Sequence, residues 1–242
     1  MALPAERLDD PGAEHSYLVG LMLRGCQLAK SAAAQAADAL GCGAPALYEA
    51  VAESEKELDA LDRELDERAC AAFAGASEPQ RRELLAAMKC MTDLERIGDL
   101  IANFASGARV LSPRLESHDV QDMIRMASHL EKMLGDIYLA FSTRDSNRAI
   151  AVLRADSEID RLRNLLFVRH VENPEHEPVR ESVQVLLMAQ ALERAGDHAK
   201  NLAEEICHFV SGHTLRHVLR SNDQSYEQLF LNWLRERMPH KN

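Results

Sequence analysis

Two ten-residue stretches of this chain repeat one another, and they constrain its fold more than any other feature. LERIGDLIAN begins at Leu94, and LERAGDHAKN begins at Leu192, 98 positions later. A second pair, VAESEKELDAL from Val51 and VLRADSEIDRL from Val152, repeats at an offset of 101. A period of about 100 residues is too long for a solenoid repeat. The repeats therefore indicate that one structural unit is duplicated within the 242 residues.

Apolar residues recur at intervals of three, four or seven, which is the pattern of amphipathic helices. Gly41 and Gly43 are expected to end the first helix, and Ser77 and Asp145 are expected to cap later ones. The ending QSYEQLFLNWLRER predicts a further short helix, on which Phe230 and Trp233 form an apolar patch. This patch would dock back on the protein, which is the default expectation, or bind a partner. The six long helices are predicted at residues 16–40, 45–74, 78–110, 117–141, 146–171 and 179–210.

The predicted fold class is all-α, with tandem duplicated antiparallel three-helix bundles and a short C-terminal helix. The expected domains are residues 1–112, 113–221 and 222–242. Aromatic residues make up only 5% of the chain, which favours packed helices over a β-sandwich, since β-structure is enriched in aromatic and β-branched residues.

Composition narrows the classes of function. A net charge of −11 argues against a general nucleic-acid binder and favours cations or basic surfaces as partners. No apolar run approaches the roughly 20 residues of a membrane span, so no membrane insertion is expected. Five cysteines without a CxxC motif, and a first segment unlike a signal peptide, indicate a cytoplasmic protein with reduced thiols.

Each repeated stretch places an acid four residues before an aspartate, so that both lie on one face of a helix. Asn103 and Asn201 extend two of these rows by one turn. Like charges at this spacing cost about 0.2–0.5 kcal/mol per pair, and Gly98 and Gly196 cost about 1 kcal/mol each. A chain selected only for stability would not combine these features twice. The four pairs are Glu55 and Asp59, Glu95 and Asp99, Asp156 and Asp160, and Glu193 and Asp197.

One interpretation of these acids is a metal site formed by two rows on adjacent helices. Carboxylate oxygens suit Mg²⁺, Ca²⁺ or Mn²⁺, and carboxylates with water can also hold iron or zinc. The glycines would then allow backbone or hydrated metal to approach closely. The other interpretation is a solvated acidic face, in which Arg96 and Arg194 neutralise the aspartates three residues further on. His198 points away from the acidic row and is expected to be a capping or surface residue.

The two ERxGDxxxN stretches, each preceded by an acidic pair on a neighbouring helix, resemble the PhoU family of phosphate-signalling proteins. The resemblance covers about residues 15–212. It implies two three-helix bundles related by a pseudo-two-fold axis, with metal at the four acidic pairs. It also implies a negative regulator of the phosphate regulon that acts with a membrane sensor histidine kinase and the ATPase of a phosphate ABC transporter. The family's histidine after the motif aspartate is kept as His198 but replaced by Leu100 in the first copy.

Three classes of function stay open at this point. The leading hypothesis is a non-enzymatic, metal-binding regulator, and we expect it to be a homodimer. A di-metal carboxylate enzyme, such as a phosphoesterase or an oxidase, is the alternative, although neither row has the Glu-x-x-His spacing of di-iron bundles. The third is a scaffold that binds no metal. No motif for a nucleotide, a serine nucleophile or a zinc protease occurs.

Overall fold

A computed structural model describes residues 11–111, 114–172 and 180–211, and these contain six α-helices and no strand. A π-helical turn, Val168–Glu172, continues the fifth helix. The predicted C-terminal helix, with Phe230 and Trp233, lies outside the described residues. The helices are α1 Pro11–Cys42, α2 Pro45–Gly75, α3 Glu78–Leu111, α4 Ser117–Thr143, α5 Ser146–Phe167 and α6 Arg180–Ser211.

The helix ends follow from local chemistry. Gly43 has a positive φ of 69° and donates its N–H to the carbonyl of Ala39, as a glycine just past a helix commonly does. Asp145 caps α5 by accepting a hydrogen bond from the backbone N–H of Asn147 at 2.9 Å, as predicted. At the start of α3, the backbone N–H of Ser77 donates to the Gln80 side chain, which is one half of a capping box.

Two sets of three helices build the molecule. Helices α1, α2 and α3 pack against one another, as do α4, α5 and α6. The equivalent helices of the two sets also pair, α1 with α4 and α3 with α6, while α2 and α5 lie on the outside. The predicted all-α fold of six long helices is confirmed. The boundary expected near residue 112 stays a prediction, because one apolar core runs continuously through both sets.

Helix α1 packs against three other helices, α2, α3 and α4. Alanines on several of its faces are fully buried, and their small side chains allow neighbouring helices to approach closely. These buried alanines are Ala29, Ala32, Ala33, Ala36 and Ala39. None of the described helices contains a segment long and apolar enough to cross a membrane.

A buried polar network joins the ends of three elements in the second set. Arg169, in the π-helical turn, donates to Asp119 and, at 2.8 Å, to Asp122 of α4. The neighbouring His170 lies 2.9 Å from Asp119 and 3.1 Å from the Ser182 hydroxyl of α6. Asp119 is only 1% exposed, so its charge depends on these partners rather than on water. The network fixes where α4 and α6 begin relative to the end of α5.

Replacing Asp119 by alanine is therefore expected to lower the free energy of unfolding by about 3–5 kcal/mol, because it removes the buried carboxylate that pairs with His170 and one of the two that pair with Arg169. Glu116 is the matched control, since it is exposed and pairs only with exposed His118 among the described residues. Glu116→Ala should cost less than about 1 kcal/mol. Urea unfolding measures both; equal costs for the two variants would contradict the role of the network.

Candidate metal centre

Three of the predicted acids meet at the outer edge of the first set of helices. Glu55 and Asp59 lie one turn apart on α2, and Asp99 lies opposite them on α3. One carboxylate oxygen from each lies within 4.8 Å of the others. All three side chains are half-buried. This is an all-oxygen arrangement that a hard divalent cation prefers, and solvent can reach its open side.

Packing between α2 and α3 creates this geometry. A Cβ atom added to Gly98 would lie 2.6 Å from Leu58 Cδ1, which is closer than real side chains approach. The glycine therefore makes room for Leu58, whose side chain is buried. Leu58 adjoins Asp59, and Gly98 adjoins Asp99, so this contact brings the two aspartates together. The interpretation of Gly98 as space for backbone or metal is corrected: the glycine admits a leucine of the neighbouring helix.

Electrostatics in the cluster are unfavourable without a cation. Burial raises the pKa of Glu55, and the nearby charges of Asp59 and Asp99 raise it further. Burial also raises the pKa of Glu95, with Asp99 adding to the effect and Arg96 opposing it. Both shifts report that negative charge is costly here. A bound cation would relieve this repulsion directly.

Arg96 supplies part of the missing positive charge. Its guanidinium lies 3.3 Å from Glu95 and 3.3 Å from Asp99. The ion pair predicted between Arg96 and Asp99 is therefore present. The arginine is more than half exposed, so the pair is screened by solvent and contributes little to stability. Glu55 and Asp59 keep their oxygens directed toward Asp99 on the same edge.

The acidic row on α2 is longer than the sequence repeats indicated. Burial raises the pKa of Asp62, and Asp66 and Asp59 raise it further. Asp62 and Asp66 follow Asp59 by three and seven residues, the spacing of one helix face. That spacing was visible in the sequence, but the second copy has Arg163 and Phe167 at the corresponding positions, so a search for repeated acids passes over them.

The acids of the second half are arranged differently. Glu193 accepts a hydrogen bond from Gln190, whose own side chain accepts one from Arg163 at 3.0 Å. Asp197 is 54% exposed and lies 3.5 Å from Lys200, and among the described side chains it forms no ion pair with Arg194. Among the described side chains, Asp160, Glu193 and Asp197 do not bring three ligand atoms within 4.8 Å. The side chain of Asp156 lies outside the described part of the chain, so its place in this half stays a prediction.

The residues that extend the two rows also diverge. Asn103 is exposed and lines a groove between α3 and α6. Asn201 is half-buried, with its amide nitrogen 3.5 Å from Asp93 of α3. His198 lies 2.7 Å from the same Asp93 oxygen. His198 is thus an inter-helix contact rather than a cap or a free surface residue, and Leu100 occupies the corresponding position in the first half.

A second group with ligand geometry lies at the start of α4, where Glu116, His118 and Asp119 come within 4.8 Å. Asp119 already pairs with Arg169 and His170, and His118 pairs with Glu116 at 2.8 Å. These contacts give the group a structural explanation. The cluster around Glu55, Asp59 and Asp99 has no comparable set of basic partners within the described residues, since its ion pair joins Asp99 to the largely exposed Arg96.

Comparison with known families agrees with this duplicated architecture. The PhoU domain model matches the chain twice, at residues 22–108 and 123–206. The chain belongs to the PhoU family. The two matched segments contain both LER stretches and all four acidic pairs.

Known PhoU proteins cover most of this chain. A phosphate-specific transport system accessory protein PhoU homolog of Caulobacter vibrioides is 30% identical over 207 residues, which span 82% of this chain and 88% of that protein. The crystal structure of PhoU from Pseudomonas aeruginosa superposes with a TM-score of 0.74 at 26% identity, covering 84% of this chain and all of that one. An uncharacterised protein of Deinococcus radiodurans is 32% identical over 158 residues, and the match spans 57% of its length.

The contact between Gly98 and Leu58 can be tested by overpacking. Gly98→Val should lower the free energy of unfolding by about 1–3 kcal/mol, because the new side chain cannot fit beside buried Leu58. Gly20→Val is the matched control, since nothing lies within 4 Å of a Cβ at that exposed helical position. It should be neutral or slightly stabilising, as valine has the higher helix propensity. Denaturant unfolding that shows equal effects would rule out close packing at Gly98.

Removing the charge of Glu95, which lies beside the cluster, should stabilise the metal-free protein. With divalent cations chelated, Glu95→Gln is expected to raise the melting temperature, because it relieves like-charge repulsion worth about 0.2–0.5 kcal/mol per pair. The folded pKa of Glu95 is raised, so the folded state takes up this proton before the unfolded state as pH falls. The advantage of the variant should therefore be largest above the raised pKa and should shrink as pH falls through it. Exposed Glu67, mutated to Gln, is the control, and thermal unfolding from pH 4 to pH 8 is the measurement.

Proposed function

We propose that this protein is a cytoplasmic, non-enzymatic accessory regulator of phosphate transport whose first acidic cluster binds a metal ion. The observation that carries the metal half is the convergence of Glu55, Asp59 and Asp99 on one half-buried edge. The regulatory half rests on membership of the PhoU family and on relatives named as accessory proteins of phosphate-specific transport.

The cation in this proposal is divalent or trivalent, and oxygen ligands limit the choice. Carboxylates with completing waters favour Mg²⁺ or Mn²⁺, and they also accept Fe or Zn. Glu95 lies on the same row of α3 as Asp99, one turn earlier, and is the candidate for an additional or bridging ligand. Burial of these acids strengthens the attraction to a cation, since charges interact more strongly where water is partly excluded.

The proposed partners are a membrane sensor histidine kinase and the ATPase of the phosphate ABC transporter, with the protein acting as a homodimer. Negative regulation would follow if the protein holds the kinase inactive while phosphate is plentiful. An acidic surface favours partners that present basic residues. A cation in the cluster would change the charge of that surface and thereby its choice of partner.

The cation half is tested by thermal unfolding with and without Mg²⁺, Mn²⁺, Fe²⁺ or Zn²⁺. A ligand that binds only the folded state at 100 times its dissociation constant adds about 2.7 kcal/mol of stability. We expect that gain for the wild type and for Glu67→Gln, and its loss in the double variant Glu55→Gln plus Asp99→Asn. An equal shift in all three proteins would place the cation elsewhere.

The regulatory half is tested in cells. Deleting the gene should switch on a phosphate-starvation reporter in phosphate-rich medium, and the wild-type gene should restore repression. A reporter that stays silent after deletion would contradict negative regulation. Assays of the purified protein with phosphoesters, and with O₂ plus Fe²⁺, should show no turnover; turnover lost in the Glu55→Gln plus Asp99→Asn variant would favour the enzymatic alternative.

A further inference from the structure

Helices α3 and α6 pack along a shared seam whose two ends differ. Side chains connect the two helices at one end, and an open groove separates them at the other. Helices α3 and α6 run antiparallel, with Asp93 beside His198 at one end and Gly107 beside Met188 at the other. At the first end, Lys89 donates to Glu205 across the seam at 2.9 Å. Near that end a cavity of only about 110 Å³ remains, whereas the opposite end forms an open groove of about 620 Å³.

The repeat explains the difference, because the offset of 98 relates the two ends position by position. Polar side chains that cross the seam at the filled end are replaced by small or apolar ones in the groove. His198 corresponds to Leu100, Glu205 to Gly107, Asp93 to Ala191 and Lys89 to Leu187. The groove therefore lies where both helices carry small or apolar residues at the positions whose repeat equivalents connect α3 and α6 at the other end.

The lining of this α3–α6 groove suits an apolar helical face. Leu100, Met188 and Ala191 form a buried floor, while Val110 and Leu187 on its walls are 72% and 58% exposed. From Leu100 to Leu111 the groove follows α3 for about 17 Å, the length of roughly three helical turns. Large apolar side chains exposed together along a groove mark an interaction surface.

The charges of the groove oppose those of the rest of the molecule. The chain carries a net charge of −11, yet Arg114 and Arg194 line this groove. Glu181 is the one acid among the described lining residues, and it lies 3.5 Å from Arg114. Arg194 makes no ion pair within the part of the chain that the structure describes, although Asp197 follows it by three residues. A ligand in the groove that carries a carboxylate near Arg194 would form an ion pair with it.

We propose that the α3–α6 groove binds an amphipathic helix of a partner protein, with its apolar face between Val110 and Leu187 and a carboxylate opposite Arg194. Anchors at positions i, i+3 or i+4 and i+7 are how a helix fills such a groove. The proposal deepens the proposed function by naming the surface on which a partner docks. It does not depend on the cation cluster, which lies on the α2–α3 edge.

The direct test uses two synthetic peptides of about four turns, with leucines on one face and either glutamates or lysines on the other. Fluorescence anisotropy of labelled peptide with the full-length protein should show binding of the glutamate peptide only. Leu187→Glu should weaken binding by about tenfold or more, because it removes an apolar anchor. Leu165→Glu, at an exposed position on α5, is the control and should bind as the wild type does.

Reversing the charge of Arg194 distinguishes a specific ion pair with the peptide from non-specific hydrophobic association. Arg194→Glu should weaken the glutamate peptide and strengthen the lysine peptide, with both changes diminishing as salt is added. Equal binding of the two peptides, or none by the glutamate peptide, would overturn the proposal. The peptide assay is independent of the phosphate-starvation reporter. A negative result would exclude this groove as the docking surface without contradicting the proposed regulatory function.

Two other occupants give distinct results, and each would overturn the assignment to a partner. If a second copy fills the groove, Leu187→Glu should convert a concentration-dependent dimer into a monomer in sedimentation analysis. If the chain's own C-terminal residues fill it, the emission of Trp233, the single tryptophan, should shift equally on adding the glutamate peptide and on mutating Leu187. An unchanged mass and an unchanged tryptophan emission support the partner helix.

Discussion

Leu58 packs over Gly98, and this contact holds several carboxyl groups closer together than their charges favour. The free energy of burying a leucine, about 1.5–3 kcal/mol, exceeds the like-charge repulsion of an acidic pair, so packing decides the geometry. Asp59 and Asp99 adjoin the two packing residues and are carried into proximity with Glu55. The cluster is thus assembled by the core, and its electrostatic cost is what makes a cation site there physically reasonable.

The two halves share one plan but differ at identifiable positions. Equivalent helices pair across the molecule, so one core stabilises both sets, and the differences lie at its surface. Leu100 and His198 are the clearest case, because the histidine reaches Asp93 across the seam and the leucine leaves a groove. The pair of helices α3 and α6 therefore forms a polar inter-helix contact at one end and an open groove at the other.

Much of this arrangement was predictable from the sequence. The spacing of apolar residues predicted six helices, and Asp145 was predicted as the N-cap of α5. Both features depend on residues near one another in the chain. The meeting of Glu55, Asp59 and Asp99 followed from the repeats. The partnership of His198 with Asp93 did not, since it joins residues 105 apart that no local pattern relates. The role of Gly98 also required knowing which leucine the neighbouring helix places over it.

Anomalous scattering from crystals soaked in Mn²⁺ would locate a bound ion directly, without relying on stability or activity. We expect a peak between the carboxylates of Glu55, Asp59 and Asp99, and its loss in the Glu55→Gln plus Asp99→Asn variant. An empty cluster in fully soaked crystals, or a peak that survives in the variant, would contradict this expectation.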